Sequence, residues 1–127
     1  MNFLVVLIGG GIGAVSRFGL SRFIAGLIGH RFPVGTLAVN LIGCFIAGLL
    51  FGVFDKVAIS QNLRVLIFVG FLGGFTTFSA FSLETLTLLK NRDFSLALIN
   101  ILISNVGGLA LAFAGFWIAD MLLKVRG

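Results

Sequence analysis

The side chains with the most chemistry to offer lie in the run GFLGGFTTFSAFSLE, from Gly70 to Glu84. Phe78 and Phe81 are three residues apart and so share a helix face, which Ser82 and Thr85 continue. A phenylalanine ring has a positive edge and a negative face. Edges turned toward a narrow path favour an anion without gripping it as an arginine would. The same spacing also serves plain helix packing, and both readings stand at this point. Just before the rings, Gly73-Gly74 and the β-branched Thr76-Thr77 weaken helix propagation. No charge occurs from Val65 to Ser82, so this is a membrane candidate interrupted in its middle. Interrupted backbone survives in a bilayer only where protein covers it or it lines a wet cavity. A half-helix starting near Thr76 or Thr77 presents N–H groups and the positive end of its dipole, suited to an anion. The half-helix before it presents free carbonyls, suited to a cation.

Other polar residues stand in apolar surroundings. Asn40 needs hydrogen-bond partners inside a bilayer. It serves either an interhelical bond at a dimer contact or as an NH2 donor beside a polar path. Asn100 and Ser104, four apart, form a second polar stripe, with Asn105 off it. Glu84 follows the ring-and-hydroxyl stripe and is expected to pair with Arg17 or Lys90 or to sit in an aqueous vestibule. Arg17 either gathers anions at a mouth or snorkels to headgroups. His30 reads as solvent-facing, and Cys44 as a small apolar residue.

These residues must be held by membrane helices. Of 127 residues 59% are hydrophobic and 10% charged, against about 25% charged in soluble domains. The expected fold is an all-α integral membrane protein in one domain over residues 1–127, a multi-pass protein of the cell (inner or plasma) membrane. Crossing the hydrocarbon takes about 20 residues. Four segments qualify: from about Phe3 to Ile28, Pro33 to Phe54, Leu63 to Leu89 with its interruption near 73–77, and Phe94 to Leu123. The first is read as a retained transmembrane helix, since no basic n-region precedes it. Trp117 suits a membrane interface. Small-xxx-small spacings at Gly9/Gly13, Gly48/Gly52, Gly70/Gly74, Ser104/Gly108 and Gly115/Ala119 predict close helix packing. The GGGIGA run at Gly9–Ala14 has the spacing of a dinucleotide fingerprint, but that motif needs a later acidic residue and none precedes Asp55. Packing is the better reading. No paired-carboxylate site, histidine cluster, metal motif or phosphate cradle appears, which argues against an enzyme. The net charge of +5 is scattered, with no basic block for nucleic acid.

An even number of spans puts both ends on one side, with Lys56, Arg64, Lys124 and Arg126. The other side holds Arg22, Arg31, Lys90 and Arg92, with Arg17 deeper in the first span. Orientation normally follows a Lys/Arg excess, and here there is almost none. A chain without bias inserts both ways, and four helices are few to enclose a path. Both points predict an antiparallel, dual-topology homodimer acting as an inverted repeat.

The runs Gly9-Gly-Gly-Ile-Gly-Ala14 with Arg17, Gly35-Thr-Leu-Ala-Val-Asn40 with Gly43, and Gly70-Phe-Leu-Gly-Gly-Phe-Thr-Thr-Phe78-Ser79 with Phe81 carry a resemblance. The sequence resembles the Fluc (CrcB) fluoride channels of microbial membranes over nearly its whole length. The resemblance implies dual-topology homodimers with two antiparallel pores that let fluoride leave passively and relieve its toxicity. It implies that fluoride passes the ring edges of Phe78 and Phe81, that Asn40 contributes to the pore, and that Ser104 and Glu84 have polar-track roles. Ser82 and Thr85, from the stripe, complete the expected pore set, and Arg17 joins Glu84 as a vestibule residue. It further implies a structural sodium ion at the dimer axis, on backbone carbonyls of Gly73 and Thr76. Expected partners are thus fluoride, sodium, a second copy and the lipid bilayer, with no nucleic acid. Ala80 departs from the pattern, standing where the family usually has Ser or Thr. Two other readings remain. A proton-coupled small multidrug exporter has four helices but needs a carboxylate in its first helix, and this one has no acid. A non-transporting membrane scaffold would use the interruption and Asn40 for packing alone.

Overall fold

Glycine spacing organises the packing. The structure, a computed structural model, describes residues 2–124; Arg126, counted in the charge balance above, lies outside them. Among the described residues the chain forms helices α1 (Asn2–Ile28), α2 (Val34–Lys56), α3 (residues 61–75), α4 (Phe78–Lys90) and α5 (Phe94–Lys124). With α3 and α4 as one span, four helices are long and apolar enough to cross a membrane. Pro33 precedes α2, where its missing N–H costs nothing. Gly29, at φ +122, ends α1 in a backbone conformation that a side chain would strain. The α4–α5 turn closes through Asp93 N–H to Leu88 O at 2.9 Å, with Arg92 in the left-handed region at φ 60.

Among the described residues, helices meet backbone to backbone at several places: α1 meets α2 where Gly35 lies against Ser21 O, and two further pairs make longer contacts. On α1, Gly9 and Gly13 face α3, and a Cβ on Gly13 would lie 2.2 Å from Phe71 O. On α2, Gly48 and Gly52 face Gly115 and Ala119 of α5, and a Cβ on Gly48 would lie 1.9 Å from Ala112 O. Nothing larger than glycine fits at either contact. In lipid, where apolar burial does not drive helices together, such contacts and interhelical hydrogen bonds supply the cohesion. The GGGIGA run is thus a packing face. Asp120 of α5 pairs with Lys56 of α2 at 2.5 Å and with Lys124 at 3.0 Å, tying α2 and α5 at one end. At the α2–α3 connection, Arg64 donates to Phe54 O at 2.7 Å.

Both α3 and α5 widen into π-helical turns, at Val65–Leu72 and Ile103–Gly107. These lie one on each side of the polar residues described next, and π turns often accompany functional sites. Large apolar side chains cover the outside, including Phe3, Leu7, Val15 and Trp117. The fully or nearly buried apolar set is small, with Val39, Leu72, Phe75 and Ala97 among its members. That distribution suits a hydrocarbon solvent.

Candidate functional site

Helix α3 stops at Phe75. Thr76 N–H makes the last helical bond, to Leu72 O at 3.0 Å, and the Thr76 hydroxyl donates to the same oxygen at 2.8 Å. Thr76 (φ −88, ψ 153) and Thr77 (φ −147, ψ 117) are extended. The Asn40 side chain then takes both backbone groups of Thr77. Its Oδ1 accepts from Thr77 N–H at 2.8 Å, and its Nδ2 donates to Thr77 O at 3.0 Å. In an unbroken helix Thr77 N–H would bond to Gly73 O. Asn40 therefore releases the Gly73 carbonyl from the ladder. Helix α4 starts at Phe78 with Thr77 as its N-cap, the hydroxyl accepting from Ala80 N–H at 3.1 Å. Gly43, one turn beyond Asn40 on α2, lies against the interruption; a Cβ there would meet Thr76 Cγ2 at 2.3 Å.

From this point a polar chain runs along α4 and across to α5. The Phe78 and Phe81 rings lie 5.4 Å apart and tilted by 44°. Ser82 donates to Phe78 O at 2.9 Å, and Thr85 to Phe81 O at 2.8 Å. The Thr85 hydroxyl also accepts from Asn100 Nδ2 at 3.0 Å, and Ser104 donates to Asn100 Oδ1 at 3.4 Å. Asn100 is 2% exposed, so its amide is held entirely by these partners. The two polar stripes of the sequence are joined into one network.

The predicted residues do not share one place. Asn40, Gly73, Thr76, Phe78, Phe81 and Ser104 line one open groove of about 400 Å³ on the chain's flank. Phe78 is 75% exposed there. Thr85 lies buried behind the groove, and Ser82 is exposed beside it. Glu84 lines a second cavity, of about 570 Å³, at the α1–α2 turn, with Thr36, Arg22, His30 and Arg31. Glu84 pairs with neither Arg17 nor Lys90. Its Oε1 accepts from Thr36 at 2.7 Å, while Oε2 is buried without a hydrogen-bond partner. Arg17 donates through Nε to Gly74 O at 3.1 Å. Cys44 is half-buried and faces Gly108 of α5. Sequence reasoning did not single out Thr36. The signal was present, since Thr36 and Asn40 are four apart and share a face of α2.

Fold and site define a small multi-pass membrane protein whose polar groups converge on an interrupted helix. The family described as CrcB-like protein, Camphor Resistance (CrcB), matches residues 4–116. A protein of Magnetococcus marinus called fluoride-specific ion channel FluC is 45% identical over 123 residues, covering 96% of this chain and 100% of the relative. A like-named protein of Parabacteroides distasonis is 40% identical over 91% of this chain and 90% of its own length. Another, of Dehalococcoides mccartyi, is 42% identical over 99% of this chain and 98% of its own. The chain belongs to the CrcB family.

Proposed function

We propose that this protein is a fluoride-selective channel, a transporter rather than an enzyme, that lets F⁻ leave the cell passively. The observation that carries the reading is the groove in which the Phe78–Phe81 ring pair, the Asn40 amide and the Ser104 hydroxyl meet at the start of α4. Fluoride is small and strongly hydrated. Its water must be replaced by several weak donors, because a site that binds too tightly does not conduct. Asn40 has two N–H donors on Nδ2 and uses one on Thr77 O, leaving one for the groove. Ring edges supply further donors, and the Ser82, Thr85 and Ser104 hydroxyls, which here donate to Phe78 O, Phe81 O and Asn100 Oδ1, serve F⁻ only by rotating away from those acceptors. Among the described residues no charged side chain lines the groove, which favours passage over capture. Once a second copy closes it to a narrow path, the path disfavours the larger chloride.

The groove is open on one side, and a second copy in the opposite orientation closes it. The near-equal division of Lys and Arg between the two sides supports such an antiparallel dimer, in which each copy's rings serve one of two pores. A sodium ion at the dimer axis fits the residues present. The Gly73 carbonyl is freed by Asn40, Thr76 lies beside it on the same groove, and hard monovalent cations take neutral oxygen ligands well. Bound there, the ion would be held by the Gly73 and Thr76 carbonyls and would supply positive charge beside the interruption. The use of the channel follows from acid–base chemistry. HF crosses membranes, ionises in the less acidic cytoplasm and is trapped as F⁻, which the inside-negative potential then drives out.

Fluoride efflux from liposomes holding the purified protein tests this reading, with valinomycin carrying the compensating potassium current. Fast fluoride release that requires valinomycin, with chloride retained, is expected. Absence of release from well-folded protein would overturn it and return the scaffold reading. Release that instead tracks a proton gradient would point to a coupled exporter.

A further inference from the structure

Two long-range contacts flank the interruption, and only one comes from the pore-facing side. Asn40 of α2 holds Thr77, as described. From the opposite side, Arg17 of α1 reaches Gly74 O through Nε at 3.1 Å, across 57 residues of sequence. Gly9, Gly13 and Arg17 repeat every fourth residue and so share one face of α1. The first two lie against the α3 backbone, and a Cβ on Gly74 would come within 2.4 Å of Gly10 O. Backbone contact leaves no room for a side chain between α1 and the end of α3, so Arg17 is delivered onto the last turn. That turn carries the helix's orphan carbonyls and the negative end of its dipole, where a cationic donor is favoured.

We propose that Arg17 is a positioning residue that clamps the end of α3, and that it does not act by gathering anions. This rests on the channel reading for its functional consequence, though not for the contact itself. With Gly74 O held by Arg17 and Thr77 by Asn40, the extended pair Thr76–Thr77 is fixed from both sides. The Gly73 carbonyl remains unclaimed by either clamp. Arg17 would thus determine which carbonyls face the groove without touching the permeating ion.

A pair of variants separates the two roles. Glutamine places an amide nitrogen the same number of bonds from the backbone as arginine Nε, without the charge; methionine has similar length and no donor. If Arg17 positions through Nε, Arg17→Gln keeps fluoride efflux within about threefold of the unaltered protein, while Arg17→Met loses about tenfold or more, the scale set by an uncompensated hydrogen bond to a half-buried carbonyl. The loss is the same at low and high concentrations of an impermeant salt. If Arg17 instead concentrates anions by charge, Gln and Met fall alike, and their deficit shrinks as salt screens the charge; that result overturns the proposal, as does full activity in Arg17→Met. Amide hydrogen exchange at residues 74–78 is read in parallel. Faster exchange in Arg17→Met but not in Arg17→Gln supports the clamp even if the unaltered protein carries no fluoride, and unchanged exchange in both overturns it. A missing flux in the unaltered protein would count against the channel reading alone.

Discussion

Replacing Asn40 by alanine should let the interruption heal. The side chain makes two hydrogen bonds to the Thr77 backbone, at 2.8 and 3.0 Å. Removing it leaves one N–H and one C=O unpartnered, each costing about 1–3 kcal/mol where water cannot reach. The chain has a way to recover part of this: Thr77 N–H can return to Gly73 O, the bond of a continuous helix. A net bias of about 2 kcal/mol toward that form corresponds to about a 30-fold shift in population. The helical form withdraws the Gly73 carbonyl and removes the N-cap that starts α4. Fluoride efflux from Asn40→Ala liposomes should therefore fall by about tenfold or more, with slower amide exchange at Thr77 as the healed ladder protects it. Asn40→Asp separates geometry from charge. It keeps an acceptor for Thr77 N–H, so exchange at Thr77 stays near that of the unaltered protein, while flux falls because a fixed negative charge faces the groove. Unaltered flux together with unaltered Thr77 exchange in Asn40→Ala would refute the reasoning.

Three further outcomes are expected. Phe78→Ile and Phe81→Ile should remove the positive ring edges and reduce fluoride efflux by about tenfold or more, the order of a lost stabilisation of about 1.4 kcal/mol; the Phe78 variant should fold normally, since its ring is 75% exposed, and thermal melting in detergent checks this. Gly48→Leu should prevent assembly of α2 against α5, because even a Cβ would lie 1.9 Å from Ala112 O; overpacking of this kind costs about 1–3 kcal/mol or more, and loss of the folded peak on size exclusion is the readout. Asn100→Leu should cut the Thr85–Asn100–Ser104 network and lower thermal stability by about 1–2 kcal/mol, the range for interhelical polar pairs in membranes, with a smaller fall in flux than the ring variants show.

Much of this protein could be read from local signals. Four apolar stretches of bilayer length, and a weak point in helix propagation at Gly73-Gly74 and Thr76-Thr77, depend only on residue type and neighbours. The shared face of Phe78 and Phe81 follows from a spacing of three, and the packing use of GGGIGA from the absence of a following acid. Tertiary structure decided the partners. Asn40 and Thr77 are 37 residues apart, Thr36 and Glu84 are 48, and Arg17 and Gly74 are 57. No periodicity within one helix can rank such pairs. Arg17 and Glu84 looked equally suited to each other by charge, yet they are placed with a carbonyl and a hydroxyl. The physical reason is that glycine faces set how closely the backbones approach, and that approach determines which polar group each side chain can reach.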